Sequence, residues 1–482
     1  MSVRSETLGD ISDAATIPGY NRSALRQGIV HVGVGGFHRA HLATYADELC
    51  ASGNIDWAIL GAGVRAADAT MRDVLTEQDG LYTLISRGPE ETAVSIIGSI
   101  TGYTHAHPDA DELIEAIAAP TTQIVSLTIT EGGYPISDVT GDYEPDSDVA
   151  GPGSAFAIIS LGLDLRRRND VGPITVLSCD NIMSNGEAAR TSTLGAATDL
   201  DGDLVSWIEN NVSFPNSMVD RITPVTTDAD RAWLSETHGI NDAWPVVAEP
   251  FRQWVVEDDF AGERPPLEQL DIIVTDHVEP YEHMKLRLLN AGHSCLAYLA
   301  ALESIETVDK AMANPSIRAY VASFLGNEAK PVLPPVEHVD IDSYNDSLVE
   351  RFSNPAVGDQ ISRLTLDGSA KFPKFLLPTV RAQLEAGGLL CHSTLALAGW
   401  CQYLLGTDCA GNTITLSNDP QLDAAKAFAA ASVEDPAAFL SFEAVFDDLG
   451  ANERFRDEFV SALQEIRENG VTAAIDRCLR HE

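Results

Sequence analysis

GIVHVGVGGFHRAH, residues 28–41, is an apolar run that ends in glycines and passes at once into a helical pattern. Its first five residues lack polar alternation, as expected of a strand covered on both faces. Gly33, Gly35 and Gly36 follow, and Phe37 to His41 open the helix. A dinucleotide-binding fold places its pyrophosphate at this point, because glycines let backbone N–H groups approach the phosphates and the helix N-terminus supplies partial positive charge. His38 stands where the usual third glycine would be.

Working outward, DWAILGAGV (56–64), QIVSLTIT (123–130), PITVLSCD (173–180) and DIIVTD (271–276) are further near-continuous apolar runs, with helical periodicity between several of them. That is the pattern of βαβ units around a parallel sheet. From about Glu279 the pattern becomes mostly helical, beginning with EPYEHMKLRLLNAGHSCLAYLAALES. The expected fold is therefore α/β, with a Rossmann-type dinucleotide-binding domain over 1–278 and a mainly α-helical substrate-binding domain over 279–482. A ribose-binding acid is expected where the second strand ends, yet Ile59-Leu60-Gly61-Ala62-Gly63 has none. Asp68 is the first candidate; its alternative role is a carboxylate opening the helix AADATMRDVL. Arg65 is close enough in sequence to meet a 2′-phosphate.

Length and composition agree. At 482 residues the chain exceeds the roughly 250–300 that one core supports. With 72 acidic against 31 basic residues the net charge is −41, which argues against nucleic acid or anionic membrane as partner. Only six of the 31 basic residues are lysines. Such a surface suits a salt-adapted cell, where screening over about 3 Å at 1 M removes most self-repulsion. The start lacks a signal-peptide pattern and no segment reaches the ~20 apolar residues of a span, so a soluble cytoplasmic protein is expected. The seven cysteines are scattered without C-x-x-C spacing, which predicts core packing for each and neither a disulfide framework nor a metal site. Oligomeric state is left open, a monomer included.

The helix opening the second domain carries polar chemistry. Tyr281 and Lys285 match Tyr-x-x-x-Lys, the base and cation of short-chain dehydrogenases, but no serine lies between Ser235 and Ser294 to polarise a carbonyl. Plotted at about 100° per residue from Lys285, Glu282 falls near ~60°, His293 near ~80° and Asn290 near ~140°. Four polar groups on one face suit an interdomain cleft better than a solvated face. Hydride transfer from an alcohol needs a base for the hydroxyl proton and donors for the developing alkoxide oxygen. Lysine serves as the base when burial disfavours its ammonium form. Asn290 donates without titrating, and Asn181, at the carboxyl end of ITVLSCD, lies where open α/β sheets bind ligands.

Taken together, these segments resemble the polyol-specific long-chain dehydrogenase/reductase family, its mannitol branch above all. The resemblance spans nearly the whole chain: GVGGFHRAH (33–41), SLTITEGGY (126–134), LSCDN (177–181), SFPNSMVDRITP (213–224), EPFRQWVVED (249–258), YEHMKLRLLNAGH (281–293), RFSN (351–354) and DGSAKFPKF (367–375). It implies a polyol/ketose oxidoreductase of mannitol/fructose type, working by hydride transfer with NAD(P) and no metal. Lys285 then matches the general base, Asn181 and Asn290 the oxyanion donors, and His293, Asp220, Arg363 and Lys371 the positions that bind or orient the polyol. Glu282 matches a proton relay. Gly33, Gly35 and His41 fit the family's G-x-G-x5-H cofactor pattern, with Gly36 and Phe37 in the same turn, and Asp68 matches the ribose-binding acid. Relatives carry an acidic pair at 67–68, whereas this chain has Ala67 beside Asp68. That implies NAD preferred with NADP tolerated. Sister readings are a reductase of keto-uronates (fructuronate or tagaturonate), whose carboxylate would use Arg363, Lys371 and Lys374, and a D-arabinitol dehydrogenase. A nucleotide-sensing module without chemistry would have no need of the Lys285 and Asn set.

Overall fold

The structure is a computed structural model and describes residues 1–137 and 140–480. The chain forms two compact units, Met1–Glu279 and Pro280–Glu482.

The strands of the first unit are β1 (Gln27–Val32), β2 (Ala58–Gly63), β3 (Tyr82–Arg87), β4 (Thr92–Ile97), β5 (Ile100–His105), β6 (Ile124–Leu127), β7 (Ile174–Ser178), β8 (Val212–Ser213), β9 (Ser217–Asp220), β10 (Val246–Ala248), β11 (Gln253–Glu257) and β12 (Ile272–Thr275). Six of them make a sheet in the order β5-β2-β1-β6-β7-β8. Every pairing in it is parallel. This is the doubly wound Rossmann order, whose direction reverses between β1 and β6, and the crevice outside the strand ends at that point is where such sheets bind ligands. Val30 and Val32 of β1, with Val125 and Leu127 of β6 and Val176 of β7, fill the core on one side of the sheet. Ile29, Ile59 and Leu177 pack on the other, against Tyr45, Leu49 and Trp254.

Four of the five apolar runs are in this sheet, but DIIVTD is not. Its strand β12 pairs in parallel with β11, which runs antiparallel to β9, in a separate three-stranded sheet. Only Ile272 of β12 is buried, so the run is apolar without being covered on both faces. A third sheet, β10-β3-β4, completes the unit.

The second unit is helical, with no named strand among the described residues. Its centre is the helix Ala291–Leu302, buried at eleven positions and therefore apolar all round rather than amphipathic. The equally buried helix Cys391–Tyr403 packs close against it at Gly399, where a Cβ would lie 2.8 Å from Leu299. No helix among the described residues is long and apolar enough to cross a membrane. Core packing was expected of all seven cysteines; Cys409 is exposed and Cys391 half-buried.

Candidate active site

The glycine turn sits at the end of β1. Gly33 adopts φ +94°, and a Cβ there would stand 2.3 Å from the Thr128 carbonyl oxygen, so both backbone and space require glycine. Gly35 is different. Its backbone is extended, and a Cβ would meet only the Gly33 carbonyl oxygen, at 3.9 Å. Packing within the protein therefore does not demand glycine at 35, and the missing side chain leaves open space at the head of the helix Gly36–Ala40. A phosphate approaching the backbone would use that space.

His38, in place of the third glycine, is fully buried and stacks on His31 at 3.4 Å. Burial pushes both rings down, His31 to about 3, so they are neutral. His31 in turn spans Ser126 Oγ and Thr128 Oγ1 at 2.8 and 2.9 Å, and the Thr128 hydroxyl donates to the Gly33 carbonyl. His41 is also fully buried, its Nε2 2.9 Å from the Gln253 carbonyl oxygen, between Phe37, Tyr45 and Trp254. The structure thus makes His41 a prop beneath the turn.

Asp68 lies over the end of β2, where a Cβ on Gly63 would strike its own Cβ at 2.5 Å. Asp68 is the third residue of the 3-10 turn Ala66–Asp68, which leads into the helix Ala69–Glu77, and its carboxylate makes the return bond of a capping box there, in keeping with the alternative role considered for it. Oδ2 accepts from the backbone N–H groups of Val64 and Arg65 at 3.1 and 2.9 Å, while Oδ1 meets the Arg65 guanidinium at 3.1 Å. The turn fixes the carboxylate at the strand end, beside an Arg65 side chain that is 76% exposed.

Asn181 is exposed just beyond β7, between two anchored residues, Asp180 and Asn185. The Asp180 carboxylate accepts from the N–H groups of Ile129 and Thr130 and from the Tyr134 hydroxyl, at 2.7–3.1 Å. Burial pushes Asp180 up against the opposing effect of those bonds. The Asn185 amide donates to the carbonyls of Asp180 and Ser217. Asp220 ends β9, buried, in register with Gln253, the residue whose carbonyl holds His41. Its neighbour Arg221 donates to the Ala40 and Glu249 carbonyls, which fastens the end of β9 to the end of the helix Gly36–Ala40.

In the second unit, the helical plot needs correction. Residues Glu279–Lys285 are α-helical, but Leu286–Asn290 form a π-helical turn before the α-helix resumes at Ala291. One wide turn sets back everything after it by about one residue, or about 100°. Asn290 then moves from ~140° to about 40° of Lys285, and His293 from ~80° to within about 20°. Lys285, Asn290 and His293 are drawn onto one line, with Glu282 a turn before them. Glu282, Lys285 and His293 are all buried, which excludes a solvated face. His293 stacks on Phe352 at 4.1 Å.

Arg363 is gripped by Asp359, Nε to Oδ1 at 2.7 Å and Nη2 to Oδ2. Burial works to raise the Asp359 carboxyl, but the hydrogen bonds and charge of Arg363, with a smaller effect of His293, hold it below the usual carboxylate value. Asp359 therefore ties Arg363 to the His293 neighbourhood. Sequence reasoning missed it; the signal was the i,i+4 Asp-to-Arg spacing in GDQISRL. Lys371 donates to the Leu364 carbonyl at 3.3 Å, one residue beyond Arg363.

Comparison with known proteins matches residues 27–269 to the mannitol dehydrogenase Rossmann domain and 277–467 to the mannitol dehydrogenase C-terminal domain. The chain belongs to the mannitol dehydrogenase family. It is 42% identical to mannitol 2-dehydrogenase of Cereibacter sphaeroides over 97% of this chain and 99% of that protein. It is 40% identical to the Phaeosphaeria nodorum enzyme of the same name over 98% of this chain and 85% of that one. Among solved structures, Pseudomonas fluorescens mannitol 2-dehydrogenase in ternary complex with NAD and D-mannitol matches with a TM-score of 0.91 and 39% identity, covering 100% of both chains. A D-sorbitol dehydrogenase in substrate-free form matches at 0.90 and 34%, covering 98% of this chain and 100% of that one. Within this mannitol dehydrogenase family member, the glycine turn lies in the Rossmann match and the Lys285 helix in the C-terminal match.

Proposed function

We propose that the chain interconverts D-mannitol and fructose, with NAD as the hydride carrier. The observation that carries this is the Lys285, Asn290 and His293 line produced by the π turn, in a chain whose full-length structural neighbour was solved with NAD and D-mannitol. The open space at Gly35 and the fixed Asp68 carboxylate fit a dinucleotide: Gly33, Gly35, Gly36 and Phe37 would hold its pyrophosphate and Asp68 its ribose. When bound, NAD supplies the acceptor for the hydride leaving the carbinol carbon. The remaining work falls to the chain. Lys285 Nζ takes the hydroxyl proton, and Glu282, one turn back, passes it outward. The amides of Asn181 and Asn290 donate to the oxygen as charge develops on it. Asp220, His293, Arg363 and Lys371 hold the other hydroxyls.

Arg363 also favours a neutral substrate over a keto-uronate, since Asp359 already matches its charge. Substituting Asp359→Asn is expected to raise the polyol KM by about 10-fold or more, because hydrogen bonds to charged groups are worth about 1.5–3 kcal/mol, with kcat changed much less. The same pair contributes to stability. With its folded value depressed, that contribution is present above the unfolded carboxyl value of about 4 and lost as pH falls through the lower folded one.

For the cofactor, the Asp68 carboxylate at the ribose end should give a higher kcat/KM with NAD than with NADP. Arg65 permits residual NADP activity. A preference for NADP would show that Asp68 does not read the ribose. The reaction itself is tested with D-mannitol deuterated at both C2 and C5, which its two-fold symmetry makes equivalent: the expected result is one deuterium transferred to the nicotinamide for each fructose formed. Transfer from sorbitol but not from mannitol would overturn the choice of polyol. The charge of −41 and the scarcity of lysine support cytoplasmic work at high salt, so the assays belong in molar KCl.

A further inference from the structure

Away from these residues, Cys391 opens the helix Cys391–Tyr403, Cys478 lies on the helix Val471–Arg480, and their sulfurs meet beside His392. The two Sγ atoms and His392 Nδ1 all lie within 4.8 Å of one another, and neither cysteine is in a disulfide. Cys478 is buried, whereas Cys391 is half-buried. The fourth member is Glu328, from a second π-helical turn, Phe324–Ala329. Its Oε2 accepts from both His392 N and His392 Nδ1 at 2.9 Å, and its Oε1 from Ser393 N at 2.9 Å. Glu328 and His392 are both fully buried.

His392 and the Cys478 thiol favour the thiolate at Cys391, against the Cys478 carbonyl oxygen 3.7 Å from the same sulfur. Burial works to lower the His392 imidazole, but hydrogen bonds to Cys391 and Glu328 hold it above its ordinary value, so it stays protonated 3.4 Å from the Cys391 sulfur. A hydrogen bond from the Cys478 thiol, helped by His392, holds Cys391 below the usual thiol value against the opposing effect of burial. The helix N-terminus acts in the same direction. A zinc site fits less well, because His392 Nδ1 carries the proton shared with Glu328 and has no lone pair for a metal.

We propose that Cys391 and Cys478 form a peroxide-oxidisable dithiol, Cys391 as the reacting thiolate and Cys478 as its resolving partner. The Cys391 sulfur attacks one oxygen of hydrogen peroxide; the S–O bond forms, the O–O bond breaks, and hydroxide leaves to be protonated as water. The sulfur of Cys478 then attacks the sulfenic sulfur of Cys391. The S–S bond forms, the S–O bond breaks, and the departing hydroxide takes the Cys478 proton as a second water. Two thiols are oxidised and one peroxide is reduced. The disulfide ties the helix Val471–Arg480 to the head of the helix Cys391–Tyr403.

The test is to treat the fully reduced protein with one equivalent of hydrogen peroxide, alkylate the remaining thiols and map the peptides by mass spectrometry. The expected product is a linked pair of peptides carrying Cys391 and Cys478, with the other five cysteines alkylated. In Cys478→Ser, oxidation should stop at a sulfenic acid on Cys391 that dimedone traps; in Cys391→Ser, Cys478 should remain a thiol. Oxidation of the exposed Cys409 with Cys391 and Cys478 both alkylated would overturn the proposal. So would one equivalent of zinc in the purified protein that must be chelated before Cys391 alkylates.

Discussion

Lys285→Ala should lower kcat by about 10²–10⁴-fold, the contribution typical of a general base, while the fold survives. The polyol KM should change less, since Asp220, His293, Arg363 and Lys371 still hold the hydroxyls. Small primary amines should restore part of the rate by entering the vacated space and taking the proton. The side chain is 8% exposed, so its removal leaves a space enclosed enough to hold such an amine. Near wild-type turnover in this variant at neutral pH would refute the assignment and make Glu282 or His293 the next base to test.

Asn290→Ala should cost about 10²–10³-fold in kcat, as for loss of one preorganised oxyanion donor, and amines should not rescue it. The two variants separate proton transfer from stabilisation of the oxygen. Asn290 closes the π turn, so circular dichroism and thermal melting of the variant should accompany the kinetics. A loss of rate with an unchanged melting curve assigns the effect to the amide. A loss explained by unfolding would remove Asn290 from the oxyanion pair.

How far these features are legible in the sequence depends on their physical origin. Gly33 was legible because its φ of +94° and the Thr128 carbonyl leave room for no other residue, and such requirements appear directly as residue type. The parallel core was legible because β1, β2, β6 and β7 are covered on both faces and lose polar alternation. The same rule misplaced DIIVTD: an apolar run reports composition, and β12 places its apolar residues on the half-exposed edge strand of a small sheet. The short strands β8 and β10 and the antiparallel partner β9 carry too few residues to stand out from loop.

On the helix of Lys285, the angles read for Asn290 and His293 were wrong, because helical periodicity assumes α geometry and nothing in LRLLN announces a wider turn. His41 was readable as part of a motif, but its burial against Gln253 depends on a strand more than two hundred residues later. The Cys391 and Cys478 contact arises in the same way, from the packing of helices distant in sequence, which cysteine spacing cannot convey.

The most direct test of the central claim is the initial rate of NADH oxidation by the wild-type protein in molar KCl with fructose, xylulose or fructuronate as the only acceptor. The account predicts the highest kcat/KM with fructose, a smaller value with xylulose and the lowest with fructuronate, whose carboxylate finds Arg363 already paired. Efficient reduction of fructuronate with fructose inert, or NADH binding without oxidation by any of the three, would contradict it.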